Sequence, residues 1–295
     1  MAIFLQCMIS GIALGALYSL IALGYSVIYS TMRMGHFAQG DFSMFGAFVG
    51  FQIAVVWGMN IVLAFLGAVV GTAVLMLISE RLAYRPMYMR GGTGLLIMTM
   101  GMQFIIQDVA KIIWGTEVKK IPPFFDPTGR NVQILGQTIS ISPESVWLIS
   151  ICSVLMLILA IFMARTKTGV AMNAVSMNRT AAQLMGVKLT TIIATTYVLS
   201  ASLAAVAGVL LAPKFTVSFT MGTATGNKAM IAAVMGGFGS LPGAMLGGIL
   251  LGMIETLCAF YISTPYRDLF SFIVLIVVLF WRPQGILGRR SITKV

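Results

Sequence analysis

KAMIAAVMGGFGSLPGAMLGGILLG, residues 228–252, is long and apolar enough to enter a bilayer, yet Gly236, Gly237, Gly239 and Pro242 interrupt it. Helix-breaking residues survive at membrane depth only where the freed backbone is buried in protein or lines a watery cavity. A discontinuous apolar segment is also a pointer to a transport pathway. A helix, a short external turn and a second helix, with no solute nearby, fit the same residues, and both readings stand at this point.

The rest of the chain is built from the same material. Of its 295 residues, 59% are hydrophobic and 9% charged, and the mean hydropathy is +0.98. That is more apolar surface than one water-soluble core can use. Stretches near the length needed to span hydrocarbon fall at 4–29, 42–59, 61–80, 95–114, 145–164, 190–212, 243–262 and 268–281, with a shorter one at 228–238. The fold class expected is all-α: a polytopic transmembrane bundle of about eight or nine elements, forming one domain over 1–295. The first stretch is too long for a signal-peptide core and is read as a retained span. Cys7, Cys152 and Cys258 are scattered through apolar runs and read as packing residues.

The net charge of +11 does not form a stripe with interleaved aromatics, so nucleic-acid binding is not indicated. The basic residues read instead as topology determinants. Arg81, Arg85 and Arg90 mark one cytoplasmic loop, Arg165, Lys167, Arg179 and Lys188 a second, and Arg282, Arg289, Arg290 and Lys294 a cytoplasmic C-terminus. Loop 115–144 balances Lys119, Lys120 and Arg130 with Glu117, Asp126 and Glu144, is stiffened by Pro122, Pro123, Pro127 and Pro143, and is placed outside. Counting crossings then puts 213–227 outside and makes 228–262 enter and return, turning near 240–243. The N-terminus comes out external, with Arg33 marking the first inner loop. Pairs of glycines four apart, among them Gly11 and Gly15, Gly46 and Gly50, and Gly248 and Gly252, allow close helix approach in lipid.

Loop 165–189 is too polar to cross but reads as one helix, with Met172, Val175, Ala182 and Met185 forming an apolar stripe. Such a helix can lie on the bilayer surface or fill a groove on a cytoplasmic partner. Between the first two spans, Gly35 to Asp41 brings polar groups together: His36 and Gln39 donate or accept hydrogen bonds, and Asp41 either attracts an ammonium or caps the following helix. Glu255 lies deep in an apolar run, where an ionisable group faces the bundle interior or water. It is either protonated and structural or part of a solute path. Asp108 and Lys111 read as a neutralising pair one turn apart, and Glu80 beside Arg81 as interfacial.

Several blocks also resemble one family. Thr180-Ala181-Ala182 followed by Gly186 is similar to the EAA-x3-G loop of bacterial ABC-importer permeases. Thr166 to Val187, and Asn227 to Glu255, resemble the high-affinity branched-chain amino acid permeases of the LivH type. His36-Phe37-Ala38-Gln39-Gly40-Asp41 is similar to that family's N-F-A-H-G-[DE] motif, and the ending Phe280-Trp281-Arg282-Pro283-Gln284-Gly285 also matches. Gly35-His36 stands where the family has Ile-Asn, Gln39 where it has His, and Thr180 where the loop has Glu. The blocks follow the family's order over nearly the whole chain.

The resemblance implies a membrane subunit of an ATP-driven importer of branched-chain or other hydrophobic amino acids. Its solute path would involve His36, Phe37, Gln39, Gly40, Asp41, Asn227, Gly236, Gly237 and Glu255. Its ATPase-coupling residues would be Gly169, Met172, Val175, Arg179, Thr180, Ala181, Ala182 and Gly186. The implied partners are a second, homologous permease, two cytoplasmic ATP-binding subunits and a periplasmic solute-binding protein, together with membrane lipid in a bacterial inner membrane. No phosphate loop, HExxH or nucleophile elbow occurs in the sequence. ATP and Mg are therefore placed on the partner ATPases, and the chain is read as a transport subunit without a cofactor or metal of its own. The rival class is an ion-coupled secondary transporter of a small polar solute, which needs internal carboxylates for its ion; a non-transporting scaffold is the third.

Overall fold

The computed structural model describes residues 2–90, 94–124, 130–134 and 137–288. Asp126, Pro127, Arg289, Arg290 and Lys294, read above for topology, lie outside the described residues. The elements in order are α1 (Ala2–Met32), α2 (Gln39–Phe51), α3 (Ile61–Ser79), α4 (Arg85–Arg90), α5 (Gly94–Trp114), β1 (Arg130–Ile134), β2 (Gln137–Ile141), α6 (Pro143–Arg165), α7 (Lys167–Met177), α8 (Arg179–Leu184), α9 (Leu189–Leu211), α10 (Met221–Gly236), α11 (Leu241–Tyr261) and α12 (Arg267–Trp281). Gln52–Val56 and Glu80–Tyr84 continue α2 and α3 as π-helical turns.

Among the described residues, 7 helices are long and apolar enough to cross a bilayer. The shorter α2, extended by its π turn, and α10 are two further helices that cover the remaining apolar stretches. The chain is thus a polytopic helical bundle, as its apolar runs predict. Within loop 115–144 the strands β1 and β2 pair antiparallel, Arg130 opposite Ile141 and Ile134 opposite Gln137. The isolated bridge between Lys119 and Val217 joins two segments that the charge pattern assigns to one side of the membrane.

The helices group into two compact units, one comprising Met1–Ser26, Pro123–Met156 and Lys228–Val295, the other Val27–Pro122 and Leu157–Asn227. In the second unit α2, α3 and α9 pack mutually and α5 packs on α2. Small residues set that spacing: Gly46 faces Ala205, and Gly208 lies against the Ser43 backbone so closely that a methyl there would overlap the Ser43 carbonyl oxygen. A branched side chain at Gly208 forces backbones apart, at about 1–3 kcal/mol or more for overpacking of this kind. Gly208→Val is expected to lower the thermal unfolding midpoint in detergent. Gly71→Ala is expected to leave it unchanged, because the nearest atoms there are Val49 methyl groups at 3.6 and 3.7 Å.

In the first unit, Gly11, Gly15 and Ser19 of α1 interlock with Gly248, Ile249, Gly252 and Met253 of α11, and the Ser19 hydroxyl donates to the Met245 carbonyl at 2.8 Å. The discontinuity that opens the sequence reading is a helical hairpin. α10 starts at Met221, earlier than its apolar run, and the break falls before Ser240, whose side chain accepts from the Gly243 amide at 3.2 Å as the N-cap of α11. Pro242 sits inside the first turn of α11, where its missing N–H is harmless, so the turn lies just ahead of the expected 240–243. Gly237 carries a φ of +110°, accessible to glycine at little cost. After α12 the chain folds back on this turn: Ile286 donates its amide to the Met235 carbonyl and Leu287 to the Gly236 carbonyl, both at 2.9 Å.

Candidate functional site

α1 stops at Met32, and after six intervening residues α2 begins at Gln39. Between them His36 is 1% exposed. Its ring lies 5.0 Å from Tyr84 edge-on, 5.5 Å from Tyr197 and 5.9 Å from Phe42, centroid to centroid. Gln39 donates to the Ser200 carbonyl of α9 at 3.1 Å. The Phe37 amide reaches Thr99 Oγ1 of α5 at 3.4 Å, and Gly40 admits the backbone of α10 at Gly222 and Gly226.

Asp41 does not cap α2. Ala38 holds the N-cap position without a side-chain bond, and Asp41 sits in the first turn, where a carboxylate suits the positive end of the helix dipole. Its Oδ1 accepts from Gln107 Nε2 at 2.8 Å. Gln107 and Gln103 both donate to Thr223 Oγ1, at 2.8 and 3.0 Å, which ties α2, α5 and α10 together. Asp41 Oδ2, Gln39 Oε1, both His36 ring nitrogens, the Tyr84 hydroxyl and the Ser200 hydroxyl are buried without a hydrogen-bond partner among the described residues.

Each such atom costs roughly 1–3 kcal/mol when left unsatisfied. Their concentration in one place makes this the candidate solute site. The structure therefore brings together His36, Phe37, Gln39, Gly40 and Asp41 of the expected path. It adds Tyr84, Tyr197, Ser200, Gln103, Gln107 and Thr223. Gln103 and Gln107 stand four apart on α5, a spacing that puts them on a shared face; the tyrosines carry no such signal.

The remaining expected path residues are Asn227, Gly236, Gly237 and Glu255. Asn227 is exposed on α10, and Gly236 and Gly237 are enclosed by Gly243 and by the backbone of Gln284 and Gly288. Glu255 of α11 is fully buried and paired: Arg267 Nε donates to it at 2.7 Å, and Lys228 bonds the same oxygen. Lys228 also reaches Asp268 at 2.9 Å, so two cations and two anions hold α10, α11 and the start of α12. Asp108 and Lys111 form the expected pair at 2.8 Å, in the open. Glu80 is 2% exposed and accepts from the Tyr88 hydroxyl at 3.1 Å. Among the described residues no three His, Cys, Asp or Glu side chains gather to hold a metal ion.

The segment expected as one amphipathic helix over 165–189 is two. Asn178 leaves the helical region (φ −153°, ψ 108°), ends α7, and caps α8 by accepting from the Ala181 amide at 3.0 Å. Thr166 caps α7 in the same way through the Gly169 amide. Asn178 breaks the stripe because its side chain competes for backbone donors. Met172, Val175 and Ala182 are buried, Thr180 and Ala181 are exposed, and Met185 is 85% exposed beside Leu184 at 84%, with Met177 at 82%. Gly186, at φ +85°, closes α8: its amide bonds the Gln183 carbonyl and the Val187 amide bonds the Ala182 carbonyl, the paired pattern of a Schellman cap. Arg179 donates to the Thr31 carbonyl, and Arg33 to the Ser176 carbonyl.

Residues 7–279 match the family described as branched-chain amino acid transport system, permease component. The chain is 36% identical over 304 residues to the high-affinity branched-chain amino acid transport system permease protein LivH of Escherichia coli (strain K12), covering 99% of this chain and 98% of that one. It is 35% identical over 303 residues, with the same coverage, to the corresponding permease protein BraD of Pseudomonas aeruginosa. Among solved structures it is similar to PsaBC from Streptococcus pneumoniae in complex with Fab, at 14% identity and a TM-score of 0.50, covering 95% of this chain and 92% of that chain. At that identity the likeness is one of fold.

Proposed function

The chain belongs to the branched-chain amino acid transport system permease family, and from that membership we propose that it is the membrane-spanning subunit of an ATP-driven importer in a bacterial inner membrane. It moves branched-chain or other hydrophobic amino acids by alternating access. The observation that carries this is the α7–α8 pair, an elbow of two capped helices that bury Met172, Val175 and Ala182 and present Met177, Leu184 and Met185 outward. Methionine and leucine at such a tip suit a groove on another protein.

In this reading the elbow and the C-terminus are cytoplasmic. Two ATP-binding subunits, carrying ATP and Mg, dock at the elbow; a second permease completes the membrane pore, and a periplasmic solute-binding protein delivers the amino acid. The polar cluster from His36 to Asp41, with Gln107 and Thr223, is the passage through this subunit. ATP-driven closure of the partners displaces the elbow and re-aims the bundle.

Asp41 favours one rival reading, because its Oδ2 is unpartnered and an ion-coupled carrier needs such a carboxylate. Affinity purification of the tagged chain from native membranes in mild detergent separates the two. Recovery of a sister permease and nucleotide-binding subunits with ATPase activity is expected. A lone oligomer whose uptake in vesicles needs no ATP and collapses with an ionophore would replace the importer by the ion-coupled carrier.

A further inference from the structure

Arg33 and Ser176 are 143 residues apart in the chain, yet they share a hydrogen bond of 2.6 Å. An α-helix ends in carbonyls that no helical N–H reaches, and neither α1 nor α7 has a basic residue in its last turn. Each is completed from the other's flank. Arg33, just past α1, donates its guanidinium to the Ser176 carbonyl at the end of α7. Arg179, just past α7, donates to the Thr31 carbonyl at the end of α1, also at 2.6 Å. A charged donor strengthens each bond, and a cation complements the negative pole of a helix C-terminus.

The geometry is specific to this crossing. Arg33 takes a left-handed φ of 59°, uncommon for a residue with a side chain, with its amide still bonded to the Tyr29 carbonyl. Asn178, the break between α7 and α8, lies between Ser176 and Arg179. The two bonds therefore bracket that break and the exit of α1 at once. On the far side of Thr31 the contacts run on: its hydroxyl shares a bond with Thr196 Oγ1 of α9 at 3.3 Å, and the neighbouring Tyr197 stands against His36.

We infer that Arg33 and Arg179 are positioning residues, a reciprocal cap that fastens the α7–α8 elbow to the polar segment His36–Asp41, so that displacement of the elbow is delivered to the solute-facing residues. The assignment rests on the permease reading given above. Neither guanidinium touches the solute; both act by holding two helix ends as one body. Removing either bond leaves the elbow free to follow a partner while the polar segment lags.

The test uses the complex captured with the full-length tagged chain, reconstituted in vesicles with its solute-binding protein, and leucine as the probe. Arg33→Ala is expected to keep complex assembly and ATPase activity within about twofold of wild type while leucine moved per ATP falls about tenfold or more, and Arg179→Ala to lower that ratio as well. Arg33→Lys and Arg179→Lys, which keep a charged donor, are expected to recover much of that ratio. A wild-type ratio in both alanine variants would overturn the cap. So would a loss of uptake that merely tracks loss of assembled complex, with the lysine variants no better than alanine. A wild-type complex that assembles without ATPase activity would instead overturn the permease reading, and the cap with it.

Discussion

Gly186→Pro abolishes uptake by the assembled complex while the chain remains in the membrane at its normal level. Gly186 holds φ at +85°, whereas proline is fixed near −65° and has no amide to give. The substitution removes the bond to the Gln183 carbonyl and takes with it the geometry that lets the Val187 amide reach Ala182. α8 then frays, and Leu184 and Met185 lose their common direction. Nothing lies near Gly186 for a side chain to strike, so the defect is conformational and local. Gly186→Ala, for which the left-handed conformation costs roughly 1–2 kcal/mol, is expected to fall between wild type and proline. Ala182→Asp, which places a charge at a 5% exposed position, should match the proline variant. Solute uptake set against chain content of the membrane fraction checks all three, and normal uptake in Gly186→Pro and Ala182→Asp would remove the elbow from the coupling path.

The second large effect concerns stability. Glu255→Ala removes the buried carboxylate that Lys228 and Arg267 share, leaving Lys228 its pairing with Asp268. Breaking a buried ion pair by deleting one member typically costs about 3–5 kcal/mol, enough to unfold a marginal membrane protein in detergent. Asp108→Ala removes an ion pair of similar length whose carboxylate is 65% exposed, and exposed pairs contribute at most about 1 kcal/mol. Thermal unfolding of the two variants side by side is expected to separate them widely. Equal midpoints would mean that the Lys228–Glu255–Arg267 cluster is solvated and adds nothing to the fold.

The contrast between those two pairs also shows how far the residues could be read. The i, i+3 spacing of Asp108 and Lys111 was enough to predict their contact, since a helix alone brings them together. Glu255 was legible as buried from its apolar surroundings, but its partners sit on two other helices, and no local periodicity records a tertiary pairing. The polar run from His36 to Asp41 stood out because it interrupts apolar sequence; Tyr84 and Tyr197, which complete its walls, do not differ in pattern from ordinary packing residues. The break in 228–252 was legible from its glycines and Pro242, which left a cavity-lining discontinuity and a helix–turn–helix both open, and its in-and-return course came from the count of crossings. The partition of 165–189 into two helices was not legible, because Asn178 is a weak breaker by propensity and acts through a cap that only the folded backbone reveals.

The backbone clamp over the α10–α11 turn has a consequence for how the protein is made. Met235 and Gly236 offer their carbonyls to Ile286 and Leu287, residues synthesised after every helix among the described residues. During biogenesis the hairpin must therefore enter the bilayer with its bend unsealed, and two carbonyls wait for partners until α12 has been released. A ribosome that stalls within α12 leaves that bend open, because the Ile286 and Leu287 amides that seal it have not yet been made.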